Sequence, residues 1–417
     1  MLTPSLSSSR KTKNTLVGEI PVEWMVTRLG KIARIVRGSS PRPAGSSLYF
    51  NGSYLPWITV GDVTSSSTMY LATTASFLTE EGAKHTRIIG PGTLILTNSG
   101  ATLGVPKIIR IRAGANDGIA AFLDLDGAKN EFIYYFLQSK TRYFREVLAP
   151  GIGQPNLNTD LIGQITIALP PTDEQAKIVE ILESWDRAIE RLENLIAAKK
   201  QLKHGLMQQL LAAKKRFGGF KNRSWRACTL GDVGSESNLR NNGKLSRDVL
   251  LAVTKAEGMV PMRERVQGEG VERCKIVRKG WFAYNPMRLN IGSIARWDGP
   301  QEAMVSGDYV VFRCHEDKLD PAFLDHYRRS YRWRRFVETT GIGSVRVRIW
   351  FSDLGRMRLR LPPIEEQRRI AEVLDSCDHE ISILAKQLQM LQLQKKGLMQ
   401  KLLTGKVRVT HLLTEST

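Results

Sequence analysis

Titratable side chains are plentiful in this chain of 417 residues, yet few stand at spacings that would build an active site. The six histidines, His85, His204, His315, His326, His379 and His411, are scattered, and none has a partner at the spacing of a metal-ligand set or a catalytic triad. Cys228, Cys274, Cys314 and Cys377 show neither CxxC nor CxxH spacing, so neither a zinc site nor a disulfide framework is expected. No GxxxxGKS/T loop is present to cradle a nucleotide phosphate. A base-gripping Asn/Asp-Pro-Pro-aromatic loop is also missing: Asn285-Pro286-Met287-Arg288 lacks the second proline and the aromatic, and reads as a turn after a strand. Asp173-Glu174-Gln175-Ala176-Lys177 mixes acids and a base as a nuclease cluster does. Its place at a helix N-terminus, where carboxylates suit the dipole, explains it better. The expectation is a chain without catalytic residues, metal or bound cofactor.

What remains is recognition. Polar and basic residues gather in expected loops: Arg37, Ser39, Ser40 and Arg42; Asn98, Ser99 and Thr102; Gln154 and Asn156. A second set comprises Arg288, Asn290, Ser293 and Arg296, with Arg346 and Arg348. Arginine pairs bidentately with guanine and Asn or Gln with adenine, while Ser and Lys more often hold phosphates.

The elements that position these loops come in duplicate. Leu169-Pro170-Pro171-Thr172-Asp173-Glu174-Gln175 opens one run, and Leu361-Pro362-Pro363-Ile364-Glu365-Glu366-Gln367 opens another, superposed by one gap-free offset of 192 residues. Ile178/Ile370, Leu182/Leu374, Asp186/Asp378, Gly205/Gly397, Met207/Met399 and Leu211/Leu403 coincide under it, the mark of internal duplication. Ile370, Leu374, Cys377, Ile381, Leu384, Leu388, Leu391, Leu398 and Leu402 alternate steps of four and three, a heptad seam whose missing slot is Lys395. The first copy has the same seam, interrupted by Lys199 and Lys203. Each helix of roughly 40 residues is about 60 Å long, a spacer or ruler. Thr172 and Gln175 form an expected capping box, which Ile364 cannot repeat. Gly205 and Gly397, inside strong helices, suggest a close crossing or a docking surface for another subunit, with a simple kink or helix end as the alternative.

Before each helix lies a globular stretch. Both open on a tryptophan theme (Trp24 to Ile32, Trp225 to Val233), continue through short turn-bounded strands and end in a helix, expected over Asn130 to Val147 and Phe323 to Phe336. The organisation read from this is a mixed α/β (α+β) chain with an internal pseudo-twofold repeat. It has an arm over 1–15, a recognition domain over 16–168, a spacer helix over 169–217, a second domain over 218–360, a second, antiparallel coiled-coil helix over 361–409 and a tail over 410–417. Lys and Arg number 61 against 41 Asp and Glu, a net charge of +20 that favours a polyanionic partner such as nucleic acid. By residue count the second domain carries about +11 and the first about +3, so the second should supply more of any salt-dependent DNA affinity. The N-terminus lacks an apolar core segment and no run approaches 18 apolar residues, so a cytoplasmic, soluble chain is expected.

The doubled Leu-Pro-Pro-x-x-Glu-Gln helix, ending in Gly205-Leu206-Met207-Gln208 and again in Gly397-Leu398-Met399-Gln400, resembles the specificity subunit of type I restriction-modification enzymes. Trp57 to Asp62 and Gly151 to Leu157 are similar to stretches of that family's target recognition domains, whereas Gly341 to Val347 departs from the Gln-Pro-Asn form. The resemblance covers nearly all of the chain. It implies a non-catalytic subunit that binds double-stranded DNA at a bipartite target. Two modification (methyltransferase) subunits would dock on the helices, for which Glu174, Gln175, Gly205, Met207, Glu366, Gln367, Gly397 and Met399 are the candidate residues. S-adenosylmethionine, ATP and Mg²⁺ would belong to these and to restriction (helicase-nuclease) subunits. The alternative is a non-catalytic coiled-coil scaffold that binds nucleic acid without sequence preference.

Overall fold

A computed structural model describes residues 11–148, 156–263, 270–340 and 348–413. The chain divides into two units, Met1–Leu192 with Gln387–Thr417, and Glu193–Lys386, so each unit takes one half of each long helix.

In the first unit, short strands whose central members are buried along nearly their whole length form two sheets. One has the order Arg34–Arg37, Ile119–Leu123, Leu94–Thr97, Pro106–Ile109, Tyr70–Leu71; the other runs Ser76–Leu78, Phe50–Ile58, Ala113–Ala115, Arg87–Ile89. A two-stranded ribbon joins Met25–Arg28 to Thr166–Leu169, bringing the start of the domain against the approach to the first helix. The second unit repeats the plan. Gly234–Ser237, Val310–Cys314, Phe282–Tyr284 and Ile294–Arg296 occupy the places of the first four strands of the five-stranded sheet. Leu250–Thr254 pairs in parallel with Ala303–Val305, as Phe50–Ile58 does with Ala113–Ala115. The ribbon Arg226–Thr229 with Arg358–Leu361 completes the match.

The helices before the long rods differ from the expectation. Asn130–Tyr143 is α-helical but passes into a π-helical turn over Phe144–Leu148. In the second unit the helix is broken into Pro321–Tyr327 and Tyr331–Thr340. Ser330 causes the break: its backbone N–H turns back to Tyr327 O, and its hydroxyl accepts the N–H of Trp333 at 3.4 Å, starting a new helix.

The long helices are Thr172–Leu210 and Ile364–Leu402. In the first unit Ile178, Val179 and Leu182 share a core with Met399, Leu402, Leu403 and Val409; in the second, Leu210 and Leu211 share one with Ile370, Ala371 and Leu374. Within each unit the start of one helix therefore packs on the end of the other, which makes the halves antiparallel. Each fully buried leucine here contributes about 1.5–3 kcal/mol.

The capping box does not form. Gln175 N–H donates to Pro171 O at 2.9 Å, while the Gln175 side chain accepts from Lys129 N at 2.8 Å and donates to Gly127 O and Pro170 O. Gln367 does the same with Asp320 N, Lys318 O and Pro362 O. The two glutamines tie each helix start to its domain, with identical chemistry in both copies.

Candidate nucleic-acid interface

In the first unit the loop following Arg34–Arg37 runs beside the turn that precedes Ile119–Leu123, because these strands are neighbours in the sheet. The turn presents Asp117, whose carboxylate accepts from Ser40 Oγ at 2.9 Å and Arg42 Nη2 at 3.2 Å. Its backbone carbonyl accepts from Arg37 Nε at 2.6 Å. Asn116 Nδ2 donates to Ser40 Oγ at 3.1 Å, so Ser40 is fixed from two sides. A Cβ on Gly118 would come within 2.9 Å of Ser99 Oγ and Val60 Cγ2, so a larger residue here would push these side chains aside. Ser99 pairs with Asn156 as an isolated antiparallel bridge, and Leu157 N donates to Asn98 O at 2.7 Å.

Arg37, Ser39, Ser40, Arg42, Ser99 and Asn156 are thus brought to one edge of the domain, with Arg37, Ser39, Arg42 and Asn156 exposed. Thr102, exposed in the neighbouring loop, offers its carbonyl to Thr97 Oγ1 at 2.7 Å. Asn98 departs from the expectation: it is buried at 1% exposure and cannot reach a ligand at the surface. Gln154 lies outside the described residues. Sequence reading missed Asp117 and Asn116, whose only signal was a polar turn before an apolar strand.

In the second unit the loop after Phe282–Tyr284 holds Arg288 and Asn290, both exposed. Ile349 N donates to Pro286 O at 3.0 Å, which brings the exposed Arg348 beside that loop, just as Leu157 meets Asn98 in the first unit. Ser293 is buried and donates to Val253 O at 2.7 Å, and Arg296 is folded back onto Asp298 at 2.8 Å, so neither extends toward solvent as expected. Arg346 lies outside the described residues.

Most of the residues expected to dock partners lie inside the fold. Glu174 and Glu366 are buried, each gripped by an arginine beyond the end of the other helix: Arg408 for Glu174, Arg216 for Glu366. Glu174 also accepts from Trp24 Nε1 at 3.0 Å. Gln175, Gln367 and Met399 are buried as well, and Met207 packs against the second core. Gly205 and Gly397 are half-buried, and a Cβ at either would meet nothing within 4 Å, so neither marks a close crossing inside this chain. The lysines that interrupt the seams are paired across it: Lys395 with Asp186, Lys203 with Asp378, and Lys199 with Glu380 at 2.6 Å.

One histidine has a carboxylate partner that its sequence position hid: buried His326 Nε2 lies 2.8 Å from Asp375 Oδ1. Burial lowers its pKa, outweighing the hydrogen bond to Asp375. His326, Asp375 and Asp378 bring three donor atoms within 4.8 Å of one another. Lys203 and Arg329 already place their charge on Asp378, so the group is an ion-pair network that a metal would have to break.

Residues 21–201 match the family model described as the type I restriction modification DNA specificity domain. Over this stretch the chain is similar to the DNA specificity domains of type I restriction-modification systems. The likeness extends further: the putative type I restriction enzyme MjaX specificity subunit of Methanocaldococcus jannaschii is 24% identical over 95% of this chain and 96% of its own. The fold is that of the type I restriction-modification S subunit from M. genitalium, with a TM-score of 0.56 at 14% identity, covering 91% of this chain and 96% of that one. A chain from a structure of type I restriction-modification complex assembly and conformational transition superposes with a TM-score of 0.59 at 17% identity, covering 93% and 99%. Among the described residues no helix is long and apolar enough to cross a membrane.

Proposed function

We propose that this chain is the DNA sequence-reading subunit of a type I restriction-modification complex, with each globular domain reading one half of a split target. The observation that supports it most is the repeated loop junction, Asn98 with Leu157 and Pro286 with Ile349, which sets polar, arginine-bearing loops on the same edge of two equivalent domains. Reading DNA needs donors held at fixed places on a rigid scaffold, and it needs no catalytic group. In this reading the chain is non-catalytic. The two long helices, running antiparallel as a coiled coil from one unit into the other, space the half-sites and carry the modification subunits, and restriction subunits join them. S-adenosylmethionine, ATP and Mg²⁺ are then bound by those partners. The exposed helix positions around Gly205 and Gly397 are the docking surface that fits this role.

The test is to produce the full chain with an adenine methyltransferase subunit and map methylated adenines along genomic DNA. A bipartite motif with a fixed gap is expected. A short continuous motif would overturn the proposal, and equal affinity for random and selected duplexes at physiological salt would favour a sequence-blind scaffold.

A further inference from the structure

We propose that Arg42, aimed by Asp117, reads a guanine in the half-site of the first domain, and that Asp117 is its positioning residue. The inference rests on the DNA-reading function proposed above and assigns one contact within it. The Arg42 side chain is 72% exposed, yet one edge of its guanidinium is anchored at 3.2 Å on a carboxylate that is itself only 34% exposed. Asp117 holds its place through the sheet: its turn leads directly into Ile119–Leu123, and Gly118 N donates to Asn116 Oδ1 at 2.7 Å.

Two physical arguments favour a base over a phosphate. A phosphate contact works through net charge, and a carboxylate at this distance offsets part of the charge that Arg42 would bring. Guanine needs two coplanar donors directed at O6 and N7, and a guanidinium held at Nη2 by the Asp117 carboxylate narrows its orientations while it keeps a second edge free. Arg37 makes a useful contrast. Its Nε is anchored on a neutral carbonyl, and its Nη2 is 3.9 Å from the same carboxylate, so it keeps more of its charge for the backbone.

The experiment selects duplexes from a randomised pool with the full-length chain at several salt concentrations and sequences those retained. Wild-type protein should return a split consensus with a guanine in one half. Arg42→Ala should flatten the preference at that base pair by about ten- to a hundred-fold and leave the other half unchanged, which also shows that the protein is folded. Arg42→Lys should not restore it, because an ammonium lacks the planar fork. Asp117→Asn should weaken the same preference while leaving the salt slope of binding no lower, and higher by up to about one where the freed charge of Arg42 meets the backbone, an effect that a merely structural role would not confine to one base pair. An Arg42→Ala protein that keeps the wild-type consensus, or binds all sequences more weakly with a salt slope lower by about one, would make Arg42 a phosphate contact and overturn the inference. A wild-type chain without any sequence preference would instead defeat the DNA-reading function itself.

Discussion

Arg408 closes on Glu174 with two N–H···O bonds of 2.7 and 3.1 Å, although 234 residues separate them. The 192-residue offset carries this pair onto Arg216 and Glu366, bonded at 2.9 and 2.7 Å. Both glutamate side chains are 1% exposed, so removing the arginine strands a buried carboxylate. Arg408→Ala is expected to cost the first unit about 3–5 kcal/mol, and Arg216→Ala the second unit as much. Urea unfolding followed by hydrogen exchange on each unit measures this. A loss below about 1 kcal/mol would mean that water replaces the guanidinium.

The chain leaves the two long helices through left-handed residues at equivalent positions: Gly405 at φ +69° and Ala213 at φ +57°. Only the second copy uses the residue that suits this conformation. Ala213→Gly should therefore stabilise by up to about 1 kcal/mol. Gly405→Ala should destabilise by more than 1 kcal/mol, because its Cβ would also lie 2.4 Å from Pro21 Cδ. Thermal midpoints of the two variants should move in opposite directions.

His326 couples stability to pH. Burial holds its pKa below the unfolded value, with Asp375 pulling the other way and Lys203 and Arg329 adding to the depression. Above about pH 6.5 the imidazole is neutral in both states and this term is silent. Below it the unfolded chain takes up the proton first, so stability falls as pH drops until the folded pKa is passed. Urea midpoints of wild type and His326→Gln between pH 5 and pH 8 should converge toward the acid end, and parallel curves would contradict the assignment.

If the helices act as a ruler, lengthening both should move the half-sites apart. Lys199 faces Glu380 across the seam, so seven residues inserted after Lys200 together with seven after Ile381 preserve both pairing and heptad phase. The added length of about 10 Å should widen the gap by about three base pairs. Methylation mapping that returned altered half-sites would show that the helices do more than space them.

Much of the architecture was legible because it is periodic. The long helical periods, the duplicated Leu-Pro-Pro entries and the apolar strands are local patterns, and they fold as local patterns dictate. What escaped was set by partners distant in sequence. Glu174 and Gln175 read as surface features of a helix start, but Arg408, Trp24 and the Gly127–Lys129 turn arrive from elsewhere to bury them. Lys203 read as a gap in the seam because Asp378 lies 175 residues away. Asn98 stood in the right loop, with its side chain turned inward. The helix after the second domain's sheet broke at Ser330, whose cap outweighed the apolar period on either side.

The division of the chain also has a consequence for how it is made. The first unit needs Met399, Leu402, Leu403 and Val409 for its core, whereas Glu193–Lys386 is contiguous. During synthesis, the unit that begins first must therefore finish last. Trp24, Ile178 and Leu182 wait with an open apolar face until the ribosome releases the segment that covers it, and that interval is when the nascent chain most needs protection from aggregation.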